Sequence, residues 1–339
     1  MSTSTVPNTR ADPPAAGWPI RFDDVLAARE RLRPHLPPSP LRTYPVLDAS
    51  VGHGIRILVK HENLQPTNAF KIRNALSLMT ALTPDERRRG VVAASKGNHG
   101  LGLAFAGAML GAPVTICVPT DNNPEKNAAI RGYGATLVEE GRDYDESVEV
   151  AARLAAERGL ALAHSTNDAR VIAGAATLTL ELIEQAPEFD TMVVAVGGGS
   201  QAVGAMTVLR ERRPAVRVIA VQSAGAAAAH DSWHAKESRP LPSARTFADG
   251  LATRAAYAMT FPALLEGLHD FVTVTDAQIA TALRLLLSTT HTMIEGAAAA
   301  GLAAILAAPD RFAGERVGIV LSGGNIDQPT LRAVLNGEI

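Results

Sequence analysis

The sequence has little that would suit a secreted, membrane-bound or nucleic-acid-binding protein. Its 339 residues contain a single cysteine, Cys117, which cannot form an intrachain disulfide and which we expect to be buried in the apolar segment VTICVP. No run of 18 apolar residues could span a membrane. The net charge of -2 gives no basic surface for nucleic acid or for an anionic membrane. These absences favour a small-molecule ligand and a reducing cytoplasm.

The composition that is present is typical of a globular protein with a large core. Hydrophobic residues make up 47% of the chain and charged residues 19%, and the length allows two domains. The first twenty residues contain no apolar run of signal-peptide length and are rich in Pro, Ala and Thr. We therefore expect residues 1–20 to be a mobile leader.

Short apolar segments alternate with helical patterns along most of the chain. This alternation predicts an α/β protein whose parallel sheets are covered by helices on both faces. The predicted strands are Ile55–Lys60, Val91–Ser95, Val114–Pro119, Ala135–Glu140, Thr191–Val196, Val216–Gln222 and Val317–Leu321.

One lysine, Lys71, lies where an amine can become reactive. It stands between Phe70 and Ile72 at the start of an apolar helical pattern, with Thr67 or Asn68 as the predicted N-cap. Burial and the positive end of a helix both disfavour the protonated amine, which is the state that a Schiff-base lysine needs to leave. The pattern indicates covalent capture of an aldehyde, although a single lysine most often faces solvent.

Three glycine-rich turns accompany this lysine: SKGNHG at Ser95–Gly100, GGGS at Gly197–Ser200 and SGGN at Ser322–Asn325. The second turn, formed by Gly197, Gly198, Gly199 and Ser200, connects a buried strand to a helix, so its backbone N–H groups can converge on a phosphate. An isolated GGG is as readily a simple turn. The spacing of a P-loop or of a dinucleotide fingerprint is absent.

With these motifs in this order, the chain resembles the fold-type II pyridoxal phosphate enzymes of the serine/threonine dehydratase and serine racemase family, from about Asp23 to Asp327. The resemblance implies pyridoxal 5'-phosphate as cofactor and a tryptophan synthase beta-like fold of two parallel-sheet domains. It implies a large cofactor-binding domain of residues 21–89 plus 165–339, a small movable domain of residues 90–164, and a homodimer.

The resemblance also implies roles for individual residues. Lys71 would bind the cofactor and act as the catalytic base. The substrate carboxylate would be bound by Ser95, Lys96, Asn98 and His99, although His99 could instead be a helix cap or a core residue. The other cofactor-binding residues would be Phe70, Asn98, Gly197, Gly198, Gly199, Ser200, Glu295 and Ser322. Ser322 would face the pyridine nitrogen, and Glu295 would lie near the ring unless it is a surface or capping residue.

Three positions depart from the family pattern. Lys96 stands where dehydratases usually have a small residue and racemases a serine. It could hold the carboxylate, protonate the leaving hydroxyl, serve as a second catalytic acid or base, or point to solvent. Asn68 and Asn74 replace residues that are usually glycine, which puts the shape of the substrate pocket in doubt.

A divalent metal site is not expected. Family members that bind such an ion have a carboxylate at the end of the strand corresponding to Val216–Gln222 and another about six residues later. This chain has Gln222 and Ala228 there. A monovalent ion held by backbone oxygens stays open.

The resemblance thus predicts a dehydratase (ammonia-lyase) that converts a β-hydroxy-α-amino acid into a 2-oxo acid and ammonia. The substrate would be like serine or threonine, or bulkier, such as phenylserine. A racemase that uses Lys71 and Lys96 is one alternative. A non-catalytic ligand-binding regulatory protein is another, which the intact Lys71 disfavours.

Overall fold

The computed structural model describes residues 17–186 and 188–339. Their strands, in chain order, are β1 Leu41–Arg42, β2 Arg56–His61, β3 Val91–Ala94, β4 Val114–Val118, β5 Thr136–Glu139, β6 Ala161–Leu162, β7 Thr191–Ala195, β8 Arg217–Ser223, β9 Asp270–Val274 and β10 Arg316–Leu321. Their α-helices are α1 Phe22–Leu32, α2 Pro45–Val51, α3 Lys71–Thr80, α4 Pro84–Arg89, α5 Asn98–Leu110, α6 Pro124–Gly132, α7 Tyr144–Arg158, α8 Ala169–Gln185, α9 Ser200–Arg212, α10 Ala228–Ala235, α11 Phe261–Gly267, α12 Asp276–Thr290, α13 Gly296–Ala307 and α14 Gln328–Asn336.

The strands form two separate sheets. The larger sheet has the order β1-β2-β10-β7-β8-β9, and all its pairs are parallel except the edge pair of β1 with β2. The smaller sheet has the order β5-β4-β3-β6 and is parallel throughout. The predicted α/β class with two parallel sheets is therefore confirmed. The smaller sheet lies within residues 91–162, while the domain boundaries stay a prediction.

Helices cover both faces of the larger sheet, because its central strands are apolar on both sides. Helices α12 and α13 pack on one face in one apolar cluster. Helices α1, α8 and α9 pack on the other face in a second cluster. A third cluster joins α3 to α5 and to strands β3 and β4, so it connects the two sheets.

Two sequence predictions need correction here. The expected leader lies mostly outside the described residues, but Trp18 and Ile20 at its end are buried in the core of the larger sheet's helices, so those positions belong to the fold. Helix α5 begins at Asn98, three residues before the predicted helix at Leu101. Asn98 and His99 therefore lie in its first turn and not in a loop. Cys117 is fully buried, as predicted.

Candidate active site

Four helices begin at one place in the molecule. Helix α3 begins at Lys71, α5 at Asn98, α9 at Ser200 and α13 directly after Glu295. Side-chain hydrogen bonds join the first turns of α3 and α9, and join Asn98 to Glu295. The N-terminal end of a helix carries partial positive charge and free N–H groups. The arrangement therefore favours an anionic ligand at this place.

Lys71 is partly buried and faces this place. Its Nζ donates to the backbone carbonyl of Ser165 at 3.1 Å and lies 5.0 Å from the centre of the Phe70 ring. Burial lowers the pKa of Lys71 from its ordinary value to about 8. A large fraction of the amine is then neutral near physiological pH, which is what a nucleophilic or basic lysine requires.

The segment before Lys71 is held by the SGGN turn. The N–H of Phe70 donates to the carbonyl of Ser322 at 2.9 Å. The predicted N-cap at Thr67 or Asn68 is wrong: Phe70 precedes the helix, and no side chain caps it. Asn68 has a φ of 52°, a left-handed conformation in which asparagine is the commonest substitute for glycine. The departure at Asn68 thus preserves the backbone of the turn.

Each glycine of the GGGS turn is required by the space around it. A Cβ on Gly197 would lie 2.2 Å from the carbonyl oxygen of Gly250, and a Cβ on Gly198 would lie 2.2 Å from Oγ1 of Thr166. Gly199 has a φ of +91°, which favours glycine. No described residue accepts a hydrogen bond from the backbone N–H groups of these three glycines. The turn therefore presents free donors at the start of α9, as a phosphate cradle does.

The SKGNHG turn is braced by its own first side chain. The hydroxyl of Ser95 accepts hydrogen bonds from the N–H groups of Gly97 at 3.3 Å and Gly100 at 2.8 Å. His99 is buried, with Nε2 3.3 Å from the carbonyl oxygen of Ala163, and its Nδ1 has no partner among the described residues. Burial, and then the nearby amine of Lys71, lower the pKa of His99 to about 3, so its ring is neutral.

Asn98, Glu295 and the SGGN turn form one hydrogen-bonded group. The amide of Asn98 donates to both carboxylate oxygens of Glu295, at 2.8 and 3.1 Å, and accepts from the amide of Asn325 at 2.7 Å. Burial raises the pKa of Glu295. A Cβ on Gly323 would lie 2.4 Å from Oε1 of Glu295, so the turn packs directly on this carboxyl group. The buried side chain of Ser322 has no hydrogen-bond partner in the described part of the chain.

The structure does not bring Lys96 into this cluster. Its side chain is exposed, and it forms no hydrogen bond or ion pair with any described residue. Lys71, Phe70, Asn98, Ser200, Glu295, Ser322 and the glycines of the 197–199 turn do come together with Ser95 and His99. The role of Lys96 as an acid or base stays a prediction.

Several residues at the site were missed by the sequence reasoning. Ser165 and Thr166 lie after β6, where one accepts from the Lys71 amine and the other packs on Gly198. His164 shapes this segment by accepting from the N–H groups of Thr166 and Asn167, and its ring meets that of Tyr257 at 5.6 Å. The polar run HSTND between a strand and a helix was the available signal, because ligands of parallel sheets bind at the carboxyl ends of the strands.

The position at which a divalent ion was not expected is occupied by protein hydrogen bonds. The buried amide of Gln222 accepts from the N–H of His230 at 3.0 Å and donates to Oγ1 of Thr253 at 3.3 Å. Among residues 17–186 and 188–339, no group of three or more His, Cys, Asp or Glu side chains is arranged to hold a metal ion. No described helix is both long enough and apolar enough to cross a bilayer.

A phosphorylated aldehyde fits the group of residues described here. The free N–H donors of the 197–199 turn suit a phosphate, and the amine of Lys71 has the lowered pKa that imine formation with an aldehyde requires. The unpartnered Nδ1 of His99 and hydroxyl of Ser322 leave polar groups that a bound molecule can satisfy. The site can thus hold the cofactor that the sequence resemblance implies.

Comparison with known proteins agrees with this chemistry. The profile of a family described as pyridoxal-phosphate dependent enzymes matches residues 32–323. An L-threonine ammonia-lyase of Geobacter sulfurreducens is 39% identical over 282 residues, which are 83% of this chain and 70% of that protein. An L-threo-3-hydroxyaspartate ammonia-lyase of a Pseudomonas species is 33% identical, over 93% of this chain and 98% of that protein.

The structure is also similar to a solved one. The maize serine racemase structure superposes with a TM-score of 0.89 at 30% sequence identity, and the match covers 95% of this chain and 98% of that one. The similarity therefore includes both sheets and all four helix N-termini at the site. It extends the match from sequence to the arrangement of the whole chain.

Proposed function

The chain belongs to the family of pyridoxal-phosphate dependent enzymes, and from that premise we propose that it converts a β-hydroxy-α-amino acid into a 2-oxo acid and ammonia. Its cofactor is pyridoxal 5'-phosphate, and it is a lyase of the ammonia-lyase type. One observation supports the proposal above all others. The partly neutral amine of Lys71 lies in the same cluster as an anion-binding turn with free N–H donors.

The cofactor is held between the two sheets in this proposal. The 197–199 turn and Ser200 bind its phosphate, and Lys71 binds its aldehyde carbon. Phe70, Asn98 and Glu295 lie against its ring, and the hydroxyl of Ser322 faces its ring nitrogen. When bound, the cofactor withdraws electrons from the α-carbon of the substrate. Because a hydroxyl at Ser322 cannot stabilise a protonated ring nitrogen as a carboxylate would, loss of the β-substituent is favoured over transamination.

Lys71 acts as the general base. Once the substrate amine has displaced it from the cofactor, its neutral amine takes the α-proton. The carbonyl of Ser165 orients this amine, because it accepts from Nζ at 3.1 Å. The electron pair of the broken C–H bond then forms a double bond to the β-carbon as the hydroxyl leaves as water. The resulting enamine is hydrolysed to the 2-oxo acid and ammonia.

The substrate carboxylate binds at the first turn of α5 in this proposal. Ser95, Asn98 and His99 lie there, at the positive end of the helix. Lys96 is assigned to the rim of the same turn, because its exposed amine can attract the carboxylate without contacting the reacting atoms. The relatives' names support substrates such as threonine and 3-hydroxyaspartate.

A substrate panel tests the proposal. The holoenzyme is incubated separately with the isomers of serine, threonine, 3-hydroxyaspartate and phenylserine, and 2-oxo acid, ammonia and the opposite enantiomer are measured together. We expect equal amounts of 2-oxo acid and ammonia from at least one substrate, and neither product with Lys71→Ala. Enantiomer formation without 2-oxo acid from every substrate would refute the dehydratase assignment.

Racemisation is the second candidate, because the chain is similar to maize serine racemase over nearly its whole length. It would need a second base opposite Lys71, and Lys96 is the sequence candidate. The Lys96→Ala variant separates the two functions. We expect 2-oxo acid formation to stay within about twofold of the parent, as for exposed side chains away from the reacting atoms. Selective loss of enantiomer formation in this variant would favour the racemase. A non-catalytic binding protein would give neither product.

We also propose a homodimer in the cytoplasm. The family resemblance supports the dimer, and the single buried cysteine supports a reducing compartment. Sedimentation of the holoenzyme at micromolar concentration tests the dimer. A monomer under these conditions would contradict it.

A further inference from the structure

Asn74 is a buried amide in a place where the family usually has glycine. It lies one turn after Lys71 in α3 and is fully buried. Its Nδ2 donates to the hydroxyl of Ser200 at 3.4 Å, and its Oδ1 has no partner among the described residues. Burying an amide with half of its hydrogen-bonding capacity unused is costly. The side chain therefore needs a role that glycine cannot fill.

The backbones on either side of this amide are held at a fixed separation. Helix α8 packs between α3 and α9 through glycines. A Cβ on Gly174 would lie 2.4 Å from the carbonyl oxygen of Arg73, and a Cβ on Gly204 would lie 2.8 Å from the Cα of Ala176. Backbones this close cannot slide without losing their packing. Asn74 thus bridges two rigid helices at the ends that face the site.

The hydrogen bond from Asn74 determines what the hydroxyl of Ser200 can do. A serine hydroxyl has one hydrogen to donate and two lone pairs to accept. When it accepts from Asn74, its own hydrogen stays free. Ser200 is 3% exposed and follows three glycines whose N–H groups have no acceptor in the described part of the chain. The free hydrogen can then add one more donor for an anion in that turn.

We propose that Asn74 is a positioning residue for the cofactor phosphate, which acts by fixing the hydroxyl of Ser200 as a donor to that phosphate. This inference rests on the part of the proposed function that assigns the 197–200 turn to phosphate. It does not depend on which amino acid is the substrate. It also explains why an asparagine can be retained at a position where glycine would pack with less cost.

The test compares ligands with and without phosphate. Full-length apoenzyme, parent and Asn74→Gly, is titrated by calorimetry with inorganic phosphate, pyridoxal phosphate and pyridoxal. We expect the variant to bind inorganic phosphate and pyridoxal phosphate about tenfold more weakly, the usual effect of one lost hydrogen bond of ~1.4 kcal/mol. Pyridoxal, which lacks the phosphate, should bind equally to both. An equal loss for all three ligands would indicate a general packing defect and overturn the proposal.

A double-mutant cycle shows whether Asn74 acts through Ser200. We expect Ser200→Ala to lose about as much phosphate affinity, and Asn74→Gly in that background to cost little more. Fully additive losses would overturn the proposal. Ser77→Ala is the matched control, because Ser77 lies on the same face of α3 and its buried hydroxyl is also without a partner among the described residues. Its phosphate affinity should equal that of the parent.

A third variant tests the assumption beneath the proposal. Gly198→Ala places a Cβ 2.2 Å from Oγ1 of Thr166 and should abolish phosphate binding by distorting the turn. If phosphate binding survives in Gly198→Ala, the assignment of the turn fails. If it is lost there but unchanged in Asn74→Gly, the assignment holds and the role of Asn74 fails.

Discussion

At the scale of the residue, the amine of Lys71 decides the chemistry, and its protonation is measurable. Burial lowers its pKa to about 8, so the amine is mostly protonated below that pH and mostly neutral above it. In the apoenzyme we expect acetylation of Lys71 by acetic anhydride to accelerate with pH and to level off with a midpoint near pH 8. Peptide mass spectrometry follows the modification, with the exposed Lys96 as the comparison in the same sample. A midpoint above about pH 10, the range of a free lysine, would contradict the burial of this amine.

The same lowered pKa predicts how stability depends on pH. Between pH 8 and about pH 10.4 the unfolded amine holds a proton that the folded amine has released. The contribution of Lys71 to the free energy of unfolding therefore rises with pH across this window. Denaturant titrations of the apoenzyme measure it as a difference from Lys71→Met, which removes the titrating group. The parent should gain stability relative to that variant as the pH rises, and a constant difference would contradict the linkage.

The residues that sequence could identify are those whose signal is local. Lys71 was found because a helical pattern begins at it, and Gly197 because three glycines follow an apolar strand. Ser165 and Asn325 reach the site from segments about 90 and 250 residues away from Lys71, and no local pattern marks their contacts. Asn74 was noticed only as a departure from glycine. Its partner, Ser200, needed the packing of three helices to become visible.

At the scale of the element, helix α3 is fixed by charges that the alternation pattern could not predict. Arg73 is buried and donates to both carboxylate oxygens of Glu62 and of Glu181, at 2.7 to 2.9 Å. Lys60 adds a bond of 2.9 Å to Glu181. Burial alone would raise the pKa of Glu181, but Arg73 and Lys60 together lower it. Two buried cations thus balance two buried carboxylates directly behind the Lys71 amine.

Close helix packing gives a prediction for two glycines of the chain. Gly174→Ala would place a Cβ 2.4 Å from the carbonyl oxygen of Arg73 and 2.6 Å from Cβ of Ser77, and would push α8 away from α3. We expect a loss of about 1–3 kcal/mol in the free energy of unfolding, the usual cost of overpacking. Urea denaturation followed by circular dichroism measures it.

Gly132→Ala is the matched control for this prediction. Gly132 is the last residue of α6, and an added Cβ there meets no atom outside its own helix within 4 Å. Alanine is a better helix former than glycine, so this variant should be as stable as the parent or more stable by ~0.5–1 kcal/mol. Equal effects of the two substitutions would show that packing between α3 and α8 is not what requires glycine at position 174.

At the scale of the whole molecule, the sequence predicted the kind of architecture but not how its parts meet. Alternating strands and helices were enough to predict parallel sheets with helices on both faces. Apolar periodicity does not record which helix of one sheet packs on the other, so the α3 and α5 contact at Gly102 was not foreseen. A Cβ on Gly102 would lie 2.9 Å from the carbonyl oxygen of Lys71, which places the smaller sheet's helix against the reactive lysine.

Polar side chains also connect the elements of the two sheets. Besides Asn98 with Glu295, the pairs are Lys126 with Asp249, Asn123 with Asp327, and Asp145 with Arg254. Asp249, Asp145 and Arg254 are largely exposed, and exposed ion pairs are weak and easily screened by salt. Such contacts can break and re-form as one sheet with its helices moves relative to the other. The small domain that was predicted to close over the substrate would move against these pairs.

The pair of Lys126 and Asp249 gives a test of this closure. If the pair favours the arrangement that encloses the substrate, Asp249→Asn should raise KM about two- to fivefold, as expected for an ion pair worth up to ~1 kcal/mol, with a smaller change in kcat. Salt should raise the KM of the parent toward that of the variant and leave the variant nearly unchanged, because screening removes only an interaction that is present. Glu188→Gln is the control, since Glu188 forms an exposed ion pair with Arg316 that lies entirely on the larger sheet. A KM that changes equally in Asp249→Asn and Glu188→Gln would mean that general surface charge, and not the contact between the sheets, governs substrate binding.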